Sequence, residues 1–174
     1  MSLRKERNAN DINVERQEVI AHWVQIISMA ASSYNVGTIW MTQLGYRLWV
    51  HIQPEKFAEY HRSWWEGWGG IQPIVFPPGI IATLGSLAQL RWRSPRVPKW
   101  LVWLNVLLQI QSWLLTGVFW APLQARLQQT QRADGTLDRN YQLLMRSHWL
   151  RVALFTGCGI LQFWMSIMSF LPQD

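Results

Sequence analysis

The chain has 174 residues, of which 15% are charged, with 16 Lys and Arg set against 10 Asp and Glu for a formal net charge of +6. That length suits one domain, and the single cysteine, Cys158, excludes a disulfide framework and a Cys-based metal motif. No nucleic-acid-binding motif accompanies the positive charge, so lipid headgroups, not nucleic acid, are its expected partner.

Mean hydropathy is −0.02, a value that would suit a soluble protein, but the scale ranks Trp as mildly polar and there are 13 of them. Charge placement is the better guide. All charged residues lie outside four runs, 19–46, 67–90, 100–125 and 152–173, of 28, 24, 26 and 22 residues. About 20 apolar residues cross a bilayer as helix, whereas soluble helices carry charge on an outer face, which these runs lack. The expected fold is all-α: an integral membrane four-helix bundle, one membrane domain over residues 1–174, with spans near 19–46, 71–92, 99–124 and 149–171.

Residues 1–18 are polar and balanced, with four basic and four acidic side chains, and the first run is too long for a signal-peptide core. Within span one, Gln25, Ser28, Ser32, Asn35 and Thr42 fall on one helical face. Loop 1 then predicts a short amphipathic helix over 54–66. Phe57, Tyr60, His61, Trp64 and Trp65 recur at helical spacing, with Trp68 beyond them, while Glu55, Lys56, Glu59 and Arg62 mostly take the other face. Trp and Tyr favour the membrane–water interface, so this interfacial helix is either an anchor or the wall of a site.

Span two opens with Pro73, Pro77 and Pro78. Interior prolines lack the amide and crowd the carbonyl four residues back, so regular helix is expected to begin near Pro78. Residues 69–77 would then enter the membrane as broken backbone, forming either a packed kink or a cavity wall. The short basic loop R-W-R-S-P-R-V-P-K (91–99) follows, and short loops weigh most in the positive-inside rule, so both termini are expected in the cytoplasm.

Span three places Asn105, Gln109, Ser112 and Thr116 on one stripe; span four does the same with His148, Arg151, Cys158, Gln162 and Ser169. Lipid offers no hydrogen bonds, so the four polar faces should turn inward. Small residues there suit helix adhesion; the large amides suit either the same adhesion or a hydrated, ligand-holding interior. A faint echo links T-I-W-M-T-Q-L-G-Y-R-L (38–48) with T-G-V-F-W-A-P-L-Q-A-R-L (116–127) once one gap is allowed.

Alternating spans put His51, His61 and His148 on the face of loops 1 and 3, and His22 at the opposite end. Gln43, Tyr46, Arg47, Gln72, Trp120, Gln124 and Arg151 gather on that same face. His61, His148 and Arg151 are therefore the candidate catalytic residues, an imidazole accepting a proton and the guanidinium holding a developing anion. Gln43, Tyr46, Tyr60, Gln72, Trp120 and Gln124 are the candidate ligand-binding residues. The alternative is local: His148 hydrogen-bonds nearby and Arg151 snorkels to headgroups. No metal or other cofactor is expected.

Four short patterns accompany these positions: W-x-x-Q leaving span one (Trp40, Gln43), F-x-x-Y-H in loop 1 (Phe57, Tyr60, His61), P-x-Q after span three (Pro122, Gln124) and W-x-R opening span four (Trp149, Arg151). With them the chain resembles a large group of small bacterial four-span membrane proteins, mostly uncharacterised, and is distantly similar to the anthrone-oxygenase-like family. That family's P-x-N motif and terminal Arg would fall on Pro122, Gln124 and Arg151, with Gln124 in place of Asn. The resemblance implies a bacterial inner membrane and cofactor-free oxidation of aromatic polyketides.

Two classes of function follow. One is a membrane protein binding a lipophilic small molecule, quinone-like or aromatic, whether or not it is catalytic. The other is a non-catalytic accessory or assembly subunit that meets a membrane protein partner, or its own copies, through a tryptophan-rich surface. A small transporter ranks below both, because no acidic residue lies within a span.

Overall fold

The computed structural model describes the backbone of residues 2–66 and 68–170 and the side chains of residues 12–66 and 68–170; the expected end of span four at 171 lies outside these. The described residues are helical, with no strand among them beyond one isolated bridge between Gln131 and Leu137. The helices are α1 (Ser2–Leu48), α2 (Pro54–Trp65), α3 (Gln72–Gln89), α4 (Lys99–Leu115), α5 (Ala121–Ala125) and α6 (Arg139–Phe170). A short 3₁₀ turn, Trp49–His51, follows α1, and a π-helical turn, Thr116–Trp120, joins α4 to α5.

The four long helices pack in a closed cycle: α1 against α6 and α3, and α4 against α6 and α3. Small residues let the backbones approach closely. A β-carbon on Gly85 of α3 would sit 2.2 Å from the Ser28 hydroxyl of α1, and one on Gly159 of α6 would sit 2.6 Å from Val36 of α1. Two helical runs, Lys99–Ala125 and Arg139–Phe170, are long and apolar enough to cross a membrane.

The interior is polar over much of its length. Gln25, Gln89, Asn105 and Gln162 are buried, each from a different long helix. Gln25 Nε2 donates to Ser166 Oγ at 2.8 Å, Gln89 Nε2 donates to Gln25 Oε1 at 2.8 Å, and Gln89 and Gln162 exchange amide bonds at 3.0 Å in both directions. Asn105 Nδ2 donates to Ser86 Oγ at 2.7 Å, and Gln162 Nε2 does so at 3.2 Å. The amides at this end thus mostly satisfy one another, as buried polar groups must. Adhesion, not hydration, accounts for Gln25, Gln89 and Gln162.

Three boundaries differ from the sequence expectation. Helix α1 runs back through the polar segment to Ser2, and α6 begins at Arg139, ten residues before the expected span. The expectation that helix begins near Pro78 is corrected: α3 starts at Gln72 and passes through Pro77 and Pro78. Pro73 takes a first-turn position that needs no amide partner. The later prolines leave only the carbonyls of Pro73 and Ile74 without a helical donor from them, a defect confined to the helix's open end.

Candidate functional site

At the other end of the cycle, beside loops 1 and 3, a second polar cluster is built on a ring of aromatics. Tyr46, Trp49, Phe57, Trp120 and Tyr141 are buried together there, with Trp64 partly covered. Helix α2 sends its ring face inward, burying Phe57 and His61. His61 meets Trp49 edge-on with ring centroids 5.3 Å apart. The stretch 57–68 thus divides: Phe57, His61 and Trp64 pack against Trp49 in the turn after α1, whereas Tyr60 and Trp68 are exposed.

Tyr46 is the hub. Gln124 of α5 donates its Nε2 to the Tyr46 hydroxyl and accepts at Oε1 from His61 Nε2, 2.8 Å away. The Arg151 guanidinium lines the same cavity as Tyr46. It donates weakly to Thr116 Oγ1 at 3.4 Å and lies over the Trp120 ring, 4.3 Å from its centroid, a favourable seat for a cation. His148 donates from Nδ1 to Gln43 Oε1 at 2.7 Å, and its ring meets that of Tyr46 edge-on with centroids 4.7 Å apart. Tyr141 donates its hydroxyl to the Tyr46 carbonyl at 2.7 Å, fastening the start of α6 to the end of α1.

Tyr46 also faces a cavity. Tyr46, Gln72, Trp64, Trp113, Thr116 and Arg151 are among the residues enclosing about 50 Å³ between α1, α3, α4 and α6. One water needs roughly 10–15 Å³ on this measure, so the space holds a few waters or the head of a larger molecule. Several polar atoms nearby are buried without a partner: Arg151 Nε, His148 Nε2 and Gln43 Nε2. Such groups are costly to leave unpaired. No carboxylate among the described residues pairs with Arg151; the recorded ion pair is Arg132–Asp138, in loop 3.

Of the candidate residues, the structure brings together Gln43, Tyr46, His61, Trp120, Gln124, His148 and Arg151, with Gln72 on the cavity wall. It does not bring in Tyr60, which is 41% exposed on α2. His51 is exposed, and His22 lies at the other end against Phe170. Neither His61 nor His148 lines the cavity; Tyr46 stands between it and both. Sequence reasoning missed Trp64, Trp113 and Tyr141 as parts of the site, and missed the π turn that carries Thr116 and Trp120. Among the described residues, no group of three His, Cys, Asp or Glu side chains could hold a metal ion.

Burial holds the His61 imidazole below its ordinary range, opposed in part by its bond to Gln124 and by the charge of Glu66. Its folded-state pKa therefore lies below the unfolded value of about 6.5. The unfolded chain binds the proton first, so stability falls as pH drops below that value. A thermal-unfolding series from pH 7.5 to 5 should show this acid loss, and His61→Gln should flatten it. Equal slopes for the two proteins would remove His61 as the cause.

The four segments that carry the sequence patterns, around Gln43, His61, Gln124 and Arg151, converge on this one cluster. Comparison with family models, curated proteins and solved structures returns no match.

Proposed function

We propose that the protein is a four-span protein of the bacterial inner membrane, with both termini in the cytoplasm, whose helix bundle binds a lipophilic small molecule of quinone-like or aromatic type at the Tyr46–Arg151 cavity. The observation that carries this reading is the part-buried guanidinium of Arg151 on the cavity wall, with its Nε fully covered and unpartnered and no carboxylate pairing with it among the described residues. A buried charge calls for a counter-charge, and a ligand with an acidic oxygen would supply one.

The membrane setting draws support from an inside-out distribution on α1 and α3, the two long helices outside the runs Lys99–Ala125 and Arg139–Phe170. On α1, Gln25, Ser28, Asn35 and Gln43 are buried while Trp23, Ile27, Met41 and Leu44 are exposed. On α3, Ser86 and Gln89 are buried while Ile80, Ile81 and Leu84 are exposed. Water would favour the reverse; lipid favours this. Cysteines placed at Ser94 and at Asp134 in a Cys158→Ser background should label from opposite sides of the membrane. Labelling of both from one side would refute four spans.

If the protein is an enzyme, the resemblance to the anthrone-oxygenase-like family points to oxidation of an aromatic substrate. Arg151 would hold the phenolate formed when such a substrate loses its proton. Tyr46 would meet the substrate directly, with His61 and His148 acting behind it. The alternative, an accessory subunit, draws on exposed tryptophans such as Trp23, Trp100, Trp103 and Trp164, a residue type favoured at interfaces. Mass spectrometry of the gently purified protein separates the two: a bound lipophile at near one per chain is expected, and a stoichiometric partner subunit with no lipophile would favour the accessory reading.

A further inference from the structure

A second hollow adjoins the cavity. On the outer surface of α1, Ser33, Gly37, Met41 and Gly45 stand four residues apart and floor a groove of about 510 Å³, walled on its other side by Trp64, Ile71 and Ile74. Ligand pockets commonly measure about 300–1,000 Å³, so the groove has the room that the cavity lacks. Thr42, Trp64 and Ile71 line both spaces. The groove faces outward, with Tyr34, Met41 and Ile74 exposed. In a membrane it would open sideways into the acyl chains.

We infer that the groove and the cavity are two halves of one binding site for an acidic amphiphile: the ionised head sits at Arg151 and Tyr46, and a linear apolar tail lies along Ser33, Gly37 and Met41. This rests on the reading of the cavity as a ligand site and deepens it by naming the ligand's shape and its route. Charge sets the head. Arg151 is a cation without a carboxylate partner among the described residues, and its Nε is buried and unpartnered. Shape sets the tail. Nothing lies within 4 Å of a β-carbon built on Gly37 or Gly45, so the floor is open. Trp64 and Ile71 mark the passage between the halves, and the ligand enters laterally from the lipid, past them, without crossing the aqueous face.

Photo-crosslinking of the full-length protein in vesicles tests this. Three probes share one tail length and a mid-chain diazirine: a fatty acid, an alkylphenol and a fatty alcohol. The acid or the phenol should label the segments around Ser33–Met41 and Ile71–Ile74 saturably and at least fivefold more than the alcohol, and the stronger of the two identifies the acidic head. A β-carbon at Gly37 meets no neighbour and leucine suits a helix better than glycine, so Gly37→Leu should fold normally and cut that labelling severalfold. Arg151→Gln should lower acidic labelling to the level of the alcohol. Equal labelling by all three probes in the unmodified protein, or labelling indifferent to Gly37→Leu, would overturn the inference and leave the groove as ordinary lipid contact. If a lipophile still co-purifies and still depends on Arg151, the cavity reading survives that outcome; if neither holds, both readings fall together.

Discussion

Gln162→Leu is expected to destabilise the protein by about 1–3 kcal/mol, the cost of one buried polar group left without a partner. Gln162 sits on α6 and bonds Gln25 of α1 and both Ser86 and Gln89 of α3. Its loss strands the Gln89 side-chain carbonyl, whereas Gln25 keeps Ser166 and Gln89 as partners. Membrane interhelical hydrogen bonds average only about 0.6 kcal/mol each, so the effect should come from that stranded carbonyl more than from the bonds themselves. A triple replacement, Gln25→Leu, Gln89→Leu and Gln162→Leu, removes the partners together and should recover much of the loss, because replacing both sides of a pair can be nearly neutral. Unfolding midpoints in mixed micelles measure both. A single variant within 0.5 kcal/mol of wild type, on the scale expected for an ordinary surface change, would show that the network carries no such weight.

The other large effect should fall on binding. Arg151→Leu should weaken ligand retention at least tenfold, about 1.4 kcal/mol or more, while leaving the helices as stable as before or more so. The two signs differ for one reason. The guanidinium lies over Trp120 with no carboxylate pairing with it among the described residues, so desolvation works against it in the empty protein, and a ligand anion would offset that cost. An arginine that merely reached headgroups would change insertion or stability slightly and leave retention alone. Bound ligand per chain and the unfolding midpoint, measured on the same preparation, separate the cases.

Charge and periodicity made the helices legible. Runs without Asp, Glu, Lys or Arg mark α1, α3, α4 and α6, and steps of three and four mark the faces that bury Gln25, Ser112 and Gln162. The interfacial helix was legible from Pro54 and its alternating faces, and α2 spans Pro54–Trp65. Much of the site was legible too, because helices that alternate in direction sort residues from distant segments onto one end. What periodicity cannot give is depth and partner. It could not tell that Tyr60 faces outward while His61, one residue on, meets Gln124, since neighbours on a helix differ by about 100° and either may face the bundle. Nor could it tell that α3 continues through Pro77 and Pro78. Local propensity argues against that helix, and packing against α1 and α4 overrides it.

The π turn at Thr116–Trp120 has a consequence for the chain's register. There the Ala121 amide bonds the Thr116 carbonyl, one residue further back than an α-helix would reach. A wide turn of this kind carries one residue more than an α turn would. The similarity between 38–48 and 116–127 needs one gap, with the extra residue on the second segment. Deleting a single residue, Val118 for example, would let α4 and α5 close into one regular helix. Everything beyond would then turn by about 100°. Gln124 would swing away from both His61 and Tyr46, and the site would come apart with every one of its side chains still present. The surplus residue acts as a phase shift, setting which side of one helix faces the phenol at its centre.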